Sequence, residues 1–495
     1  MDIVLALDAG TTGVRTVAYG SSTDPIDTAY RELHQYFPAP GLVEHDPLEI
    51  GRLALETLSE VAQRVRANGH EVVALGITNQ RETTIAFDRA SGRSAHHALV
   101  WQDRRTTPQC EQLVNDGHLE FVRRSTGLVL DPYFSGTKMR WLLDHGALDT
   151  AEVPALGTVD SYLVWMLTGA SDGGTFITEA SNASRTMLLD LTTLDWSPRL
   201  GSLLGVPLEL LAQVRPSASR FGLVSGDLVP ELEGVPITGI LGDQQAALFG
   251  QACFAPGMVK ATYGTGSFLL ANAGSTPPQP RDGVIGTVAW DLGAFGPVSY
   301  AYEGSAFVAG AAIQWLRDEL GLIAAASDLG PLAESVVDSG GVSFVPAFTG
   351  LGSPFWEPEA RGVLTGLTRG SGRAQVARAV VEALAFQVAA MTEAFATAGI
   401  ELRELRADGG AAAMDLLMRM QSTISRLPVR RSASLEATAR GAATLAGLEA
   451  GVWSGLDEIA STWSSTLSCE PSDPTLLDAT YAAWRRSVER TQPRV

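Results

Sequence analysis

Two short turns rich in glycine and threonine, one in each half of the chain, have the clearest chemical potential in this sequence. Residues 8–13 form the first turn and residues 264–266 the second, and each lies between two apolar segments of strand character. Glycine lets the backbone approach a ligand closely, while backbone amides and threonine hydroxyls donate hydrogen bonds to phosphate oxygens. The pair of turns therefore predicts a site for nucleotide phosphates, although each turn alone is equally consistent with an ordinary β-hairpin.

Two charged side chains accompany the first turn. Asp8 stands at the end of the preceding apolar segment. An aspartate at such a position can hold Mg²⁺ through water, because the ion keeps much of its hydration and prefers few carboxylates. Arg15, two residues beyond the turn, is a candidate contact for a phosphate group. These residues together indicate binding of a metal–nucleotide complex.

The elements that must position these turns alternate between strands and helices. Apolar periodicity predicts strands at residues 3–7, 16–19, 72–78, 259–263, 267–271 and 405–407, and helices at residues 47–66, 375–396 and 412–424. Because the opening strand–turn–strand pattern recurs near residue 260, we expect a diverged internal duplication. A chain of 495 residues is too long for one core, so we expect two α/β domains, residues 1–249 and 250–495.

Composition argues against several classes of partner. The chain has 36 Lys and Arg against 55 Asp and Glu, and the resulting net charge of -19 repels nucleic acid and anionic lipid. Cys110, Cys253 and Cys469 lack the spacing of a zinc site or a disulfide framework, which favours a reducing, cytoplasmic location. No uninterrupted apolar run is long enough to span a bilayer, so we expect no membrane insertion.

Several longer segments resemble one known family. Residues 8–15 (DAGTTGVR) resemble the first phosphate loop of the sugar kinase, Hsp70 and actin superfamily. Residues 133–145 and 362–382 are similar to the two signatures of the FGGY carbohydrate kinases. Five dispersed segments resemble those of the glycerol kinases within that family: TNQRETT at 78–84, VWQ at 100–102, NASRTM at 182–187, GDQQAA at 242–247 and PAFTGLG at 346–352. The resemblance covers almost the whole chain.

The resemblance implies a fold of two actin-like, ribonuclease H-like domains flanking a deep catalytic cleft. It also implies ATP- and Mg²⁺-dependent phosphorylation of glycerol to sn-glycerol 3-phosphate by a homo-oligomer, either a dimer or a tetramer. One alternative is an FGGY kinase for another small polyol or a ketose, such as erythritol or xylulose, because fold alone does not set the substrate. The other is a non-catalytic nucleotide switch of the actin and Hsp70 type.

The resemblance also implies which residues bind the acceptor. A triol needs hydrogen-bonding partners for its hydroxyls and apolar cover for its carbon atoms. The residues that the resemblance places around glycerol supply both: Arg81, Glu82, Trp101, Tyr133, Asp243, Gln244 and Phe268. Taken one at a time they suit simpler roles, because Arg81 and Glu82 are equally consistent with a solvated ion pair and the aromatic residues with a core.

Asp243 is the predicted general base. In kinases an aspartate commonly accepts the proton of the attacking hydroxyl. All seven histidines lie at or before His145, so no histidine of the second half is available for this task. Asp243 also joins Asp8 as a predicted metal ligand. Its structural alternative is a helix N-cap ahead of residues 244–249, and the two roles are compatible.

Nucleotide contacts are implied in both halves of the chain. Met414-Asp415 stands where glycerol kinases usually carry two asparagines. Methionine covers the face of a base without donating a hydrogen bond, so we expect nucleotide binding with weaker or broader base selectivity. The implied contacts are Thr11, Thr12, Gly13 and Arg15 on one side of the phosphates, Thr265 on the other, and Gly310, Gln314, Gly410 and Met414 at the nucleoside end.

Overall fold

The computed structural model describes residues 1–434 and 436–491, and two large mixed sheets dominate this part of the chain. The first sheet has six strands, in spatial order Ala218–Leu223, Pro236–Gly242, Glu71–Asn79, Asp2–Ala9, Gly13–Tyr19 and Pro25–Glu32. The second has seven strands, in spatial order Ile285–Trp290, Ser299–Ala306, Ser267–Gly274, Met258–Tyr263, Glu404–Asp408, Val429–Ser432 and Ser465–Cys469.

The two sheets repeat one topology. In the first, the antiparallel hairpin Asp2–Ala9 and Gly13–Tyr19 is extended on its other side by the parallel strand Glu71–Asn79. In the second, the hairpin of Met258–Tyr263 with the following strand is extended by the parallel strand Glu404–Asp408. The expected internal duplication is therefore confirmed, and each glycine–threonine turn is the tight connection of one hairpin. The fold is α/β with two actin-like domains.

Smaller sheets and helices surround these two sheets. A four-stranded sheet contains Glu44–His45, Ala98–Leu99, Thr84–Asp88 and Pro154–Thr158, and two-stranded pairs join Leu189–Asp190 with Asp195–Trp196, Gln213–Arg215 with Ile177–Glu179, and Ser343–Val345 with Val363–Thr365. The α-helices are Pro47–Ala67, Thr107–Asn115, Leu119–Thr126, Ser135–Asp144, Val159–Leu167, Ala180–Ala183, Pro198–Leu204, Asp243–Gly250, Gly310–Asp318, Leu329–Glu334, Arg373–Thr397, Asp415–Ser425, Ala437–Glu449, Leu456–Ser461 and Thr475–Val488.

The strands and helices predicted from periodicity are all present, and their boundaries differ by up to three residues; the strand expected at residues 16–19, for example, begins at Gly13. The helix expected to begin at residue 412 begins at Asp415, because Gly410–Ala413 forms a tighter 3₁₀ turn first. Gly409 permits this turn by adopting a φ of 89°, in the left-handed region that favours glycine. The displaced start leaves Met414 in extended conformation at the N-cap.

One helix has the length and hydropathy of a membrane span. Arg373–Thr397 has a mean hydropathy of 1.4 over its most apolar window, and 83% of that window is buried inside the protein. Charged residues such as Glu382 interrupt it, which is why the sequence showed no continuous apolar run. Its burial against the second sheet and neighbouring helices identifies it as a core helix.

The last third of the chain returns to the first sheet and packs on it. The helix Ala437–Glu449 buries Ala442 and Ala446 in the same apolar cluster as Val4 and Ala6 of the first strand. One core is therefore built from both halves of the chain. The boundary between residues 249 and 250 stays a prediction, and it lies at the end of the helix Asp243–Gly250.

The helices Asp243–Gly250 and Ala437–Glu449 pack so closely that their backbones are in direct contact. A Cβ atom on Gly250 would lie 1.9 Å from the carbonyl oxygen of Ala437, and one on Gly441 would lie 1.8 Å from that of Ala246. Real Cβ atoms never come so close to a backbone oxygen, so both positions require glycine. The contact fixes the helix whose first residue is Asp243.

We expect Gly441→Ala to destabilise the protein, although alanine normally favours a helix. The methyl group would force the two helices apart, at a cost of about 1–3 kcal/mol typical of overpacking. Urea unfolding monitored by circular dichroism measures the loss. Gly455→Ala is the matched control, because a Cβ there meets nothing within 4 Å. Equal stability of the two variants would show that the helices are not in close contact.

Candidate active site

The structure brings the seven predicted acceptor residues together between the two sheets. Arg81 and Glu82 follow the end of the strand Glu71–Asn79, and Asp243 and Gln244 begin the next helix. Arg81 and Glu82 are almost completely buried, at 2% and 1% exposure. The other five are partly exposed: Trp101, Tyr133, Asp243, Gln244 and Phe268. Their exposed atoms can therefore meet a small ligand.

Arg81 is the centre of this cluster. Its Nε lies 3.1 Å from Asp243 Oδ1, and its Nη2 donates to the hydroxyl oxygen of Tyr133 at 3.4 Å. Both terminal nitrogens also donate to Glu303, at 2.6 and 3.0 Å, in the parallel arrangement that makes an arginine–carboxylate pair strong. Arg81 is thus held in a single orientation, with Asp243 on one side and Glu303 on the other.

Glu303 and Arg185 complete a buried network that the sequence did not reveal. Arg185 donates from Nη2 to Glu303 at 3.1 Å and from Nε to Glu82 at 2.6 Å. Burial opposes ionisation of Glu303, but the guanidinium groups of Arg185 and Arg81 outweigh it and lower its pKa to about 2. Because Glu303 belongs to the second sheet and the other three charged residues to the first half, the network joins the two domains.

The backbone of Glu82 is strained. Its φ is 59°, in the left-handed region that residues other than glycine seldom occupy. Such strain is typical of functional sites, where surrounding bonds hold a residue in a conformation it would not choose alone. Here the bond from Arg185 and the donation of Ser135 Oγ to the Glu82 carbonyl at 3.0 Å hold it in place.

Three aromatic rings form the apolar wall of the cluster. Trp101 packs edge to face with Tyr133, at 5.6 Å between ring centroids, and with Phe268, at 6.5 Å. The indole Nε1 of Trp101 also donates to Thr11 Oγ1 at 2.9 Å. This bond places the first glycine–threonine turn directly against the acceptor cluster.

Asp243 is the first residue of its helix, and Gly242 is the N-cap, so the predicted cap position is displaced by one residue. Asp243 Oδ1 nevertheless accepts a hydrogen bond from the backbone N–H of Gln244 at 2.7 Å. Its side chain is 30% exposed. Burial raises the pKa of Asp243, Arg81 and Lys260 oppose that shift, and the charge of Asp8 adds to it. Asp8 and Asp243 are therefore close enough to interact electrostatically.

Arg15 contacts carboxylates at the first turn. Its Nε and Nη2 donate to Asp8 Oδ2 at 3.0 and 2.9 Å, and its Nη1 pairs with Glu436. Burial raises the pKa of Asp8, and the guanidinium of Arg15 opposes that shift. Arg15 thus holds Asp8 beside the turn, and a direct contact with phosphate stays a prediction.

A packing contact that does not involve phosphate accounts for the glycine at position 13. A Cβ atom at this position would lie 2.4 Å from the ring of Tyr30, whose hydroxyl donates to the carbonyl oxygen of Thr12 at 3.2 Å. Tyr30 therefore covers the turn, and a larger side chain at Gly13 would require the Tyr30 ring to move. The side chain of Thr12 remains exposed.

A cavity of about 890 Å³ opens beside the second turn. Its volume suits a ligand of nucleotide size. All five nucleotide residues predicted in the second half line it: Thr265, Gly310, Gln314, Gly410 and Met414. Asp415, which follows Met414, accepts a hydrogen bond from Arg431 at 2.7 Å.

Lysine usage is a signal that could have identified two further residues. The chain has 34 arginines and only two lysines, Lys138 and Lys260. Both lysines are fully buried, and both contact residues of the acceptor cluster. In a chain that uses arginine almost everywhere else, a buried lysine marks a position with a special requirement. Glu303 gave no comparable sign, because its arginine partners are 222 and 118 residues away in sequence.

Two repeated domains that face each other across such a site define the actin-like class of nucleotide-binding proteins. Comparison with known families narrows this class. The N-terminal domain of the FGGY family of carbohydrate kinases matches residues 3–250, and the C-terminal domain of that family matches residues 259–450. This chain belongs to the FGGY family of carbohydrate kinases.

Individual relatives cover the whole chain. It is 48% identical over 498 residues to a glycerol kinase of Bordetella parapertussis, spanning 99% of this chain and 97% of that protein. A glycerol kinase of Myxococcus xanthus is 47% identical over 98% of this chain and 99% of its own length. The crystal structure of Plasmodium falciparum glycerol kinase with ADP superposes with a TM-score of 0.93 at 32% identity, covering 100% of this chain and 99% of that one.

Glu303→Gln is expected to weaken both stability and acceptor binding. Breaking a buried ion pair by neutralising one partner costs about 3–5 kcal/mol, because the other charge stays buried without compensation. Arg81 would also lose the anchor that orients it. Urea unfolding and the KM for the phosphoryl acceptor measure the two effects. Glu120→Gln, which removes an exposed partner of Arg123, should cost less than about 1 kcal/mol. Equal losses in both variants would contradict the role of Glu303.

Proposed function

We propose that this protein is a glycerol kinase, which transfers the γ-phosphoryl group of Mg-ATP to glycerol and forms sn-glycerol 3-phosphate. The observation that carries the proposal is the convergence of Arg81, Asp243 and Gln244 with an aromatic wall, beside the first glycine–threonine turn. The full-length identity of 47–48% to glycerol kinases supports the same acceptor.

The polar residues of the cluster match the needs of a small triol. Arg81 is a donor, Glu82 and Asp243 are acceptors, and Tyr133 and Gln244 can do both. The rings of Trp101, Tyr133 and Phe268, which pack edge to face, cover the carbon atoms. A longer sugar would carry more hydroxyls than these residues match.

Asp243 acts as the general base in this proposal. Within the described residues, only its Oδ1 is engaged, by Arg81 and by the N–H of Gln244, so Oδ2 is available to the acceptor hydroxyl. Burial raises the pKa of Asp243, which makes it a stronger proton acceptor, while Arg81 opposes the shift and favours the ionised form. As the hydroxyl oxygen attacks the γ-phosphorus, its proton passes to Oδ2.

The nucleotide lies across both turns. The cavity lined by Gly310, Gln314, Gly410 and Met414 takes the nucleoside, and Thr265 meets the phosphates from the second half. Thr11, Thr12, Gly13 and Arg15 meet the phosphates from the first half. The hydroxyl of Thr11 already accepts from Trp101 Nε1, so its own hydrogen is free to donate to a phosphate oxygen.

Asp8 and Asp243 are the proposed ligands of Mg²⁺. The charge of Asp8 contributes to the raised pKa of Asp243, which supports a shared site for the two carboxylates, and the described residues hold no group of three or more acidic, histidine or cysteine ligands. A pair of carboxylates suits Mg²⁺, which keeps several waters and binds substrate phosphates as well. The ion would neutralise charge on the transferring phosphoryl group. A cytoplasmic homo-oligomer, dimer or tetramer, is the expectation from the family.

The proposal predicts that glycerol is the preferred acceptor in a coupled assay with ATP and Mg²⁺. We expect kcat/KM for glycerol to exceed that for erythritol and for xylulose by at least about 100-fold, because the polar groups of the cluster match a triol and leave the extra hydroxyls of a longer acceptor without partners. Xylulose kinases share the fold, as one from Lactobacillus acidophilus does with a TM-score of 0.85 at 20% identity. A preference for xylulose or erythritol would therefore identify a different FGGY kinase.

Asp243→Asn should lower kcat by about 10²–10⁴-fold, the usual contribution of a general base. Glycerol binding should change little, because asparagine keeps the Oδ1 contacts of the aspartate. Steady-state kinetics and calorimetric titration with glycerol separate the two effects. Asp195→Asn, at an exposed position, should keep full activity. A nucleotide switch without catalysis would instead show no glycerol-dependent turnover in either the parent protein or the variants.

The position of Met414 predicts tolerance of other bases. We expect kcat/KM for GTP and CTP to be within about 30-fold of that for ATP, because a thioether contacts a base without selecting its hydrogen-bonding groups. Competition among the three donors at equal concentration measures this directly. Met414→Asn should increase the preference for ATP. A parent protein that rejects GTP and CTP by more than about 1,000-fold would show that another residue reads the base.

A further inference from the structure

The two lysines of this chain are both buried beside the acceptor cluster. The chain has 34 arginines, most of which reach the surface, whereas its two lysines, Lys138 and Lys260, are both at 0% exposure. Lysine is a compact ammonium with three donors on a flexible stem, whereas arginine is a wide planar fork. Retention of lysine at two buried positions beside one site therefore indicates a task for a small donor group.

Lys260 lies under the acceptor cluster. It is in the strand Met258–Tyr263, and its Nζ donates a hydrogen bond to Gln244 Oε1. The same Nζ lies 3.4 Å from the carbonyl oxygen of Phe268. One ammonium thus contacts both Gln244 and Phe268, two residues of the acceptor cluster.

This contact decides the orientation of the Gln244 amide. A side-chain amide can be turned by 180° without changing its shape, and its hydrogen-bond partners alone decide which end is the oxygen. Lysine has donors and no acceptor while it is protonated, so the atom facing Nζ must be Oε1. Nε2 then points away from Lys260, and within the described residues it makes no hydrogen bond.

The charge of Lys260 supports this arrangement. Burial lowers the pKa of Lys260 to about 8, and the carboxylates of Asp408 and Asp243 oppose that shift. The group is therefore an ammonium at pH 7. Asp408 in turn accepts from Gln251 Nε2 at 2.6 Å, which fixes the carboxylate behind the lysine.

We propose, on the basis of the function proposed above, that Lys260 is a positioning residue that fixes the Gln244 side chain with its NH₂ group towards the acceptor. Gln244 then serves only as a hydrogen-bond donor to one hydroxyl oxygen of glycerol. Without Lys260 the amide can adopt both orientations. In one of them its oxygen faces the acceptor, and an oxygen cannot donate a hydrogen bond. Lys260 acts through Gln244 and does not touch the substrate.

Lys260→Met tests the proposal by removing the donor while keeping an unbranched side chain. We expect the KM for glycerol to rise by roughly 10- to 100-fold. This factor corresponds to the free energy of one hydrogen bond to a charged group, here the bond by which Lys260 orients Gln244. The KM for ATP should change by less than about twofold, because the lysine is not among the residues that line the nucleotide cavity. Arg378→Met is the control for loss of a buried cation, since Arg378 pairs with Glu382 in a core helix.

A double-mutant cycle separates a positioning role from a structural one. In a Gln244→Ala background, Lys260→Met should raise the KM for glycerol by less than about threefold, because the group that it orients is already absent. Equal effects of Lys260→Met with and without Gln244 would overturn the proposal. If the parent protein phosphorylates no glycerol at all, the proposed function fails first. An active parent whose Lys260→Met variant keeps the parent KM for glycerol overturns this inference alone.

The scarcity of lysine provides a second measurement that does not depend on folding of the Lys260 variant. Protein labelled with ¹³C at lysine Cε gives two lysine signals, and Lys138→Met assigns them. We expect Gln244→Leu to shift the Lys260 signal and to leave the Lys138 signal in place. Titration of the parent protein with glycerol should move the same Lys260 signal. A Lys260 signal that responds to neither change would overturn the proposal.

Discussion

The buried ion network of Arg81, Glu82, Arg185 and Glu303 is the constraint on which the rest of the site depends. Each of these groups is at most 2% exposed, and an unpaired charge in such surroundings is strongly unfavourable. The four charges balance only when the first-half residues meet Glu303 from the second sheet. Closure of the two domains around the acceptor residues is thus enforced by electrostatics as well as by packing.

The helix Asp243–Gly250 links this ion network to Asp243, the proposed general base. Its N-terminus places Asp243 against Arg81, and its C-terminal end lies at backbone distance from the helix Ala437–Glu449. The second contact comes from a segment almost 200 residues later in the chain, which packs on the first sheet. The position of the proposed base is therefore set by residues from both ends of the polypeptide.

Two of the predicted nucleotide contacts have local structural explanations. Tyr30 occupies the space that a side chain at Gly13 would need, so the glycine is coupled to an aromatic cover over the turn. Met414 lines the cavity beside the second turn, and the next residue, Asp415, pairs with Arg431.

Local residue patterns were enough to predict the main strands and helices and the family. Strand and helix periodicity is a local property, so the hairpins at both turns, the helix Pro47–Ala67 and the helix Arg373–Thr397 were predictable from neighbouring residues. Motif segments such as residues 78–84 and 242–247 likewise named Arg81 and Asp243, because their resemblance to a family is read along the chain. The same segments gave no distances between them.

The ion pairs of Glu303, the partners of Arg185 and the contacts of Lys260 became visible only in the folded structure. Glu303 meets Arg81 across 222 residues of sequence, and no periodicity links two such positions. Arg15 shows the same limit, because its pairing with Glu436 requires the end of the chain to return to the first sheet. Two buried charges pair only if they lie close together in the folded protein. A sequence pattern gives the type of each residue but not its neighbours in space.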